Sequence, residues 1–232
     1  MSLLRKIQER IRHLLLKPVR VFCFHQVSDS FDPDTMWECD WTQTETFKQK
    51  ILSFKKDYAF IPLTEAHQHI LRDRFRFKNY AALTADDGWE SLKSIIPWLA
   101  GQGIPITLFL NPLYLDGHHK QIRETEKLLT LNEVKQLVGD FSPFVSVASH
   151  GWSHKDCLLM TEEEFIDNVN DAEDVLKTID GHIPFYAFSF GKYKKTHLEY
   201  LKKRELIPVL MNGEKNYRHS PICRECIDSG VI

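Results

Sequence analysis

Residues 80–110 read YAALTADDGWESLKSIIPWLAGQGIPITLFL. Residues 80–84 form a short apolar run of strand length. Residues 89–101 repeat their apolar side chains at helical spacing and are closed by Gly101. Residues 104–110 return to β-branched and aromatic side chains. A strand, a helix and a second strand joined by short turns form a crossover unit, so the two strands are expected to lie parallel.

The same rhythm continues on both sides of this unit. Upstream, residues 19–24 read as a strand, 44–56 as a helix, 59–62 as a short strand, and 64–72 as a helix with Thr64 as its N-cap. Downstream, 130–139 opens on TLNE and 161–178 on TEEE, both capping-box patterns that start helices. Residues 144–149, 184–190 and 207–210 read as strands, with a helix over 196–204 before the last. No Pro/Gly/Ser-rich linker and no internal repeat interrupts the pattern. The sequence therefore predicts one α/β domain over residues 19–232, built on a parallel sheet as a barrel or as an open sheet.

Composition agrees. The chain has 232 residues, 43% of them hydrophobic, with a formal net charge of −2. That is enough apolar material for a core and too little net charge for a disordered chain. The balance of acids and bases argues against a nucleic-acid partner. No apolar run approaches the roughly 18 residues of a membrane span. The five cysteines are odd in number and scattered, unlike a secreted disulfide framework. Cys223 and Cys226 form a CxxC without a second pair, which reads as reduced thiols. Residues 2–17 carry no secretory pattern. They place Leu4, Ile7, Ile11, Leu14 and Leu15 on one helical stripe among Arg5, Lys6, Arg10, Arg12 and Lys17. A basic amphipathic helix over residues 1–18 follows, either packed on the domain or lying peripherally on an anionic membrane surface. The expected location is cytoplasmic, at the inner face of the membrane if that helix binds lipid.

In parallel α/β folds the chemistry gathers at the C-terminal ends of strands. The strand at 80–84 runs into Asp86-Asp87-Gly88. An acid here would serve the start of the following helix, or a turn at Gly88 would swing both carboxylates toward one cavity. The strand at 144–149 runs into His150-Gly151-Trp152-Ser153-His154, two histidines at metal-ligand spacing. One aspartate and two histidines make an open three-ligand set that leaves positions for water and substrate. Phe190-Gly191 ends another strand, where a turn can present backbone N–H groups, and His25 ends the first.

These residues resemble the polysaccharide deacetylases, carbohydrate esterase family 4, whose unit is also called the NodB-homology domain. Thr84–Gly88, TADDG, resembles the family's TFDDG motif. His150–His154, HGWSH, resembles H-S/T-x-x-H/D. Residues 185–191, FYAFSFG, resemble the FAxPxG variant of the third motif, and FHQVSD at 24–29 the opening YHxV segment. The order and spacing match from about Val19 onward. The resemblance implies a deformed (β/α)7 barrel that removes acetyl groups from an N-acetylated sugar or glycan. By position, Asp86 matches the catalytic base and Asp87, His150 and His154 the ligands of a divalent metal. The set suits Zn2+, and also Co2+, Ni2+, Fe2+ or Mn2+. The backbone N–H at Phe190 matches the oxyanion donor. Ala187 stands where many members carry the arginine that holds the base, so nothing at that position forms a charge pair with Asp86. No LxLH motif follows to supply a general acid; His219 is the expected substitute, with His25 as a second candidate. Trp37, Trp41, Trp89 and Trp152 are candidate sugar-stacking surfaces. The substrate expected is an N-acetylhexosamine on a lipid or nucleotide carrier. The alternatives are an amidohydrolase of the same fold acting on a non-sugar amide, or an inactive scaffold.

Overall fold

Side-chain parity along each strand explains the architecture of the computed structural model, which describes residues 19–29, 41–72, 78–115, 128–211, 216 and 221–228. Strand β5, Tyr80–Asp86, sends Ala81, Leu83 and Ala85 outward and Ala82, Thr84 and Asp86 inward. Its neighbours β1 (Arg20–Phe24), β6 (Ile106–Leu110), β7 (Val145–Ser149), β8 (His182–Ala187) and β9 (Ile207–Leu210) repeat the alternation. All these strands pair in parallel, in the order β9-β8-β7-β6-β5-β1. Strand β4, Ala59–Phe60, pairs with the start of β5.

The two edges of this sheet are brought together by one short segment. Strand β10, Ile222–Cys223, pairs with β9, and β11, Glu225–Cys226, pairs with β1. Only Arg224 separates them. Its N–H donates to Leu210 O at 2.7 Å, and the Ile227 N–H donates to Cys23 O at 2.8 Å, so the segment is hydrogen-bonded to both edges. The sheet thus becomes a nearly closed barrel, the deformed (β/α)7 form expected from the motifs. Closure satisfies edge N–H and C=O groups that would otherwise face solvent.

The barrel interior is filled by Val19, Val21, Ala82, Phe109, Ala148, Phe185, Ala187, Val209 and Ile222. Helix α2, Leu63–Arg72, plugs one end with Leu63, Ala66 and Ile70, spaced along one helical face. The outer layer lies between the strands and helices α1 (Thr44–Asp57), α3 (Leu92–Gly101) and α5 (Leu131–Asp140). Short α4 (Pro112–Leu115) follows β6, while α6 (Glu162–Leu176) and α7 (Lys195–Lys203) cover the remaining face. Both expected capping boxes form, at Thr130–Glu133 and Thr161–Glu164. A separate two-stranded parallel pair, β2 (Gln26–Ser28) and β3 (Trp41–Gln43), follows β1.

Some expected boundaries move. The helix after β5 begins at Leu92 rather than 89, because residues 87–91 are used in a turn. Gly103, at φ +69, ends its connection rather than Gly101, which is helical. Thr64 lies inside α2, whose first bond runs from the Ala66 N–H to Pro62 O. The strand expected over 184–190 is His182–Ala187, since Ser189–Gly191 form a tight turn. The helix over 1–18, Trp37, Cys39 and His219 lie outside the described residues. Among the described residues no helix is long and apolar enough to cross a membrane.

The closing segment is clamped by Asn216, whose buried side chain donates to Cys223 O and accepts from the Cys223 N–H, both at 2.7 Å. Asn216→Ala should leave two buried backbone groups unpaired and lower unfolding stability by about 1–3 kcal/mol, read by denaturant titration; a change below about 0.5 kcal/mol would show that the clamp is dispensable.

Candidate active site

Inward parity continues one step past the strand ends, so His25, Asp86, His150 and Arg224 all face the same mouth of the barrel. Asp86 is the last residue of β5 and 2% exposed. Arg224, 1% exposed, forks onto it, with Nη1 to Oδ1 at 2.6 Å and Nη2 to Oδ2 at 2.8 Å. The guanidinium also donates to Thr84 Oγ1 at 3.3 Å and lies 4.9 Å from the Phe109 ring centre. Burial alone would push the Asp86 carboxyl up. Arg224, and then His150, outweigh it and hold the group well below the carboxylate range. The charge pair missing at Ala187 is therefore supplied by Arg224, from the link between β10 and β11, where the CxxC reads only as a pair of thiols.

Asp87 reaches the same cavity by a backbone device. It takes φ 70 and is followed by Gly88 at φ 79. The turn therefore begins at Asp87 itself rather than at Gly88. Aspartate tolerates this left-handed region better than most residues. Gly88 is required there, since a Cβ would meet Leu110 Cδ2 at 2.9 Å. Neither acid caps the next helix, whose N-cap is Ser91.

His150 is buried, and its Nδ1 lies 2.8 Å from Ala187 O. A carbonyl only accepts, so Nδ1 carries the proton. Burial pushes the imidazole's pKa down, which leaves a neutral ring with its Nε2 lone pair facing the acids. That Nε2 is 3.7 Å from Asp87 Oδ1, and His154 Nε2 is 3.3 Å from the same oxygen. Asp87 Oδ1 is itself buried without a hydrogen-bond partner. An orphaned carboxylate oxygen between two imidazole nitrogens fits a divalent cation. Asp87, His150 and His154 form one of the possible metal-holding groups, their ligand atoms all within 4.8 Å of one another.

Two asparagines hold the histidine loop. Asn111 Nδ2, at the end of β6, donates to His150 O at 2.7 Å and Gly151 O at 3.0 Å. Asn168 Oδ1, on α6, accepts from the N–H groups of Trp152 and Ser153 at 3.0 and 3.1 Å. Neither asparagine was singled out in the sequence, where a lone Asn carries no motif.

His25 sits across the cavity. Its Nδ1 is 2.7 Å from Asp228 Oδ2, and its Nε2 is 3.9 Å from Asp86 Oδ2. Asp228 Oδ1 accepts from the His25 N–H and from Thr42 Oγ1, each at 3.3 Å. Burial pushes the His25 pKa down, but the bond to Asp228, then Cys226, more than offsets this and carries it well above 6.5. Phe190 takes φ 57 in the turn after β8, half exposed, with its ring 4.7 Å from that of His154. Ser189 Oγ ties the turn to His150 O at 3.1 Å. Trp41 and Trp89 are buried and cannot stack on a sugar, whereas Trp152 is half-buried. Among the described residues, the exposed aromatic at the mouth is Phe190. Cys223 and Cys226 pair with different barrel strands and share no metal-ligand cluster among the described residues.

The family model for polysaccharide deacetylase matches residues 76–208, more than half of the chain. No curated protein matches. Among solved structures, IcaB from Ammonifex degensii superposes with a TM-score of 0.74 at 16% identity, over 92% of this chain and 92% of that one. PplD, a deacetylase from Streptococcus pyogenes in complex with acetate, gives 0.73 at 18% identity over 90% and 92%. The BpsB deacetylase domain from Bordetella bronchiseptica gives 0.70 at 17% identity over 90% and 96%. The matched span includes Asp86, Asp87, His150, His154 and Phe190, but not His25, Arg224 or Asp228.

Arg224→Met should leave the Asp86 carboxylate buried and unpaired, at a cost of about 3–5 kcal/mol. Adding Asp86→Asn to that variant should regain part of the loss, because the orphaned charge is gone. Urea denaturation of the two variants measures both effects, and equal stabilities would refute the coupling.

Proposed function

The chain belongs to the polysaccharide deacetylase family, and from that premise we propose that it is a metal-dependent hydrolase removing the acetyl group from an N-acetylated sugar. The observation that carries this reading is the orphaned Asp87 Oδ1 between His150 and His154, beside an arginine-held Asp86 and opposite a histidine–aspartate pair. A divalent metal held by Asp87, His150 and His154 would polarise the acetamide carbonyl and make water a competent nucleophile near neutral pH.

The chain's own groups supply the remaining steps. Asp86, kept anionic and aimed by Arg224, accepts a proton from the attacking water. The Phe190 N–H would donate to the oxygen on which negative charge develops. His25, charged through Asp228, gives its Nε2 proton to the sugar nitrogen as the carbon–nitrogen bond breaks. Acetate and the free amine leave. The proton taken by Asp86 has a short return route to His25, since the two groups are 3.9 Å apart. His25 thereby takes the general-acid role in preference to His219. For the finer substrate, we favour an N-acetylhexosamine on a lipid or nucleotide carrier at the cytoplasmic face, in keeping with the basic stretch at residues 2–17.

With one equivalent of zinc, the protein should release acetate from such carrier-linked sugars. Asp86→Asn should lower kcat by about 10²–10⁴-fold. If wild type and variant release equal amounts of acetate, the reading fails.

The groups facing His25 are Asp228, Cys226, Asp86 and Cys23. Its imidazolium is the active form, so activity should persist above pH 6.5 and fall as pH rises through the raised value. Asp228→Asn removes the strongest upward influence and should move the basic limb of kcat/KM to lower pH. His25→Gln should remove that limb and lower kcat; an unchanged profile in both variants would exclude His25 as the acid.

A further inference from the structure

We propose that His25, Cys226 and Asp228 form a second divalent-cation site, of thiolate–imidazole–carboxylate type, whose occupation by a zinc- or cadmium-class ion switches the enzyme off. The ligand atoms of the three residues all lie within 4.8 Å of one another. Asp228 Oδ2 is the hub, 2.7 Å from His25 Nδ1 and 3.2 Å from Cys226 Sγ. Around zinc, metal–ligand bonds of about 2.0–2.3 Å set donors roughly 3–4 Å apart in a tetrahedron, so the cluster needs only a small opening to admit the ion.

Barrel closure builds the cluster. The register of β11 on β1 sets Cys226 beside Cys23, two residues before His25. Asp228 follows on the same face, its side chain 0% exposed, while Cys226 is exposed at the rim. An ion therefore meets the thiol first, from solvent. Sulfur and imidazole together select zinc, cadmium or cobalt over magnesium or calcium. The Asp87–His150–His154 group contains no sulfur, so the two sites differ in kind.

Binding forms metal–sulfur, metal–nitrogen and metal–oxygen bonds. It releases the Cys226 thiol proton and the His25 Nδ1 proton to solvent, and no electrons move. His25 is left a neutral ligand, separated from its Asp228 hydrogen bond, and can no longer act as an imidazolium acid. The loss of activity rests on the proposed role of His25; the binding does not.

Cobalt titration separates the two. Wild type should bind two equivalents, one of them raising the near-ultraviolet cobalt–thiolate absorption. Cys226→Ser should bind one equivalent without that absorption. Asp87→Asn should keep the absorption while losing the other equivalent, and Cys39→Ser should keep both. No thiolate absorption in wild type, its survival in Cys226→Ser, or its loss in Cys39→Ser would overturn the site. In acetate-release assays charged with one equivalent of zinc, excess zinc or cadmium should inhibit wild type. Cys226→Ser should tolerate about tenfold more of either ion. Full activity of wild type with the thiolate site filled would overturn the switch while leaving the binding site standing. The role of His25 is judged separately, from His25→Gln at one equivalent of zinc.

Discussion

The bidentate contact between Arg224 and Asp86 is the interaction on which the barrel and its mouth both depend. Two full charges are taken out of water at the centre of the fold, where each alone would cost several kcal/mol. The cost is tolerable because both carboxylate oxygens meet the guanidinium fork, Thr84 adds a further acceptor, and the Phe109 ring covers the cation. Arg224 can be there only if the segment from β10 to β11 spans the gap between β9 and β1. Closing the barrel and holding the carboxylate are therefore one structural event.

The rest of the mouth follows from alternation plus two local exceptions. Period-2 parity carries His25, Asp86 and His150 inward from three different strands. Asp87 is out of phase and is recovered by its own left-handed backbone. His154 lies beyond any strand, at φ 45, and depends on a loop held by Asn111 and Asn168. Gly151 belongs to that loop for a steric reason, since a Cβ there would meet Asn168 Nδ2 at 2.5 Å.

This division explains what could be read in the sequence. The crossover pattern, both capping boxes, and the Asp86, Asp87, His150 and His154 constellation were legible because each is local: a periodicity or a spacing within a few residues. Arg224 and Asp228 were not, because their partners lie 138 and 203 residues away. Nothing in CRECID declares which side chain points inward until the register on β1 and β9 is known. The CxxC, read as reduced thiols, is indeed two free cysteines, but the spacing says nothing of Cys226 meeting His25 and Asp228. The helix start was misplaced for a related reason. Trp89 fits the apolar period of the helix, but residues 87–91 are consumed by the turn that delivers Asp87.

Two carboxylate–cation couples thus face each other across 3.9 Å, and their environments drive them in opposite directions. In one, a permanently charged arginine holds an aspartate anionic. In the other, an aspartate holds a histidine protonated. Asp86 and His25 begin as a proton acceptor and a proton donor, without having to exchange a proton first. Separating the proton affinities of two neighbouring groups is how one cavity performs acid and base chemistry at a single pH. In the proposed mechanism the imidazole of His25 lies within reach of Asp86 with a buried carboxylate behind it, and the barrel's closing segment provides that carboxylate two residues after its own cysteine.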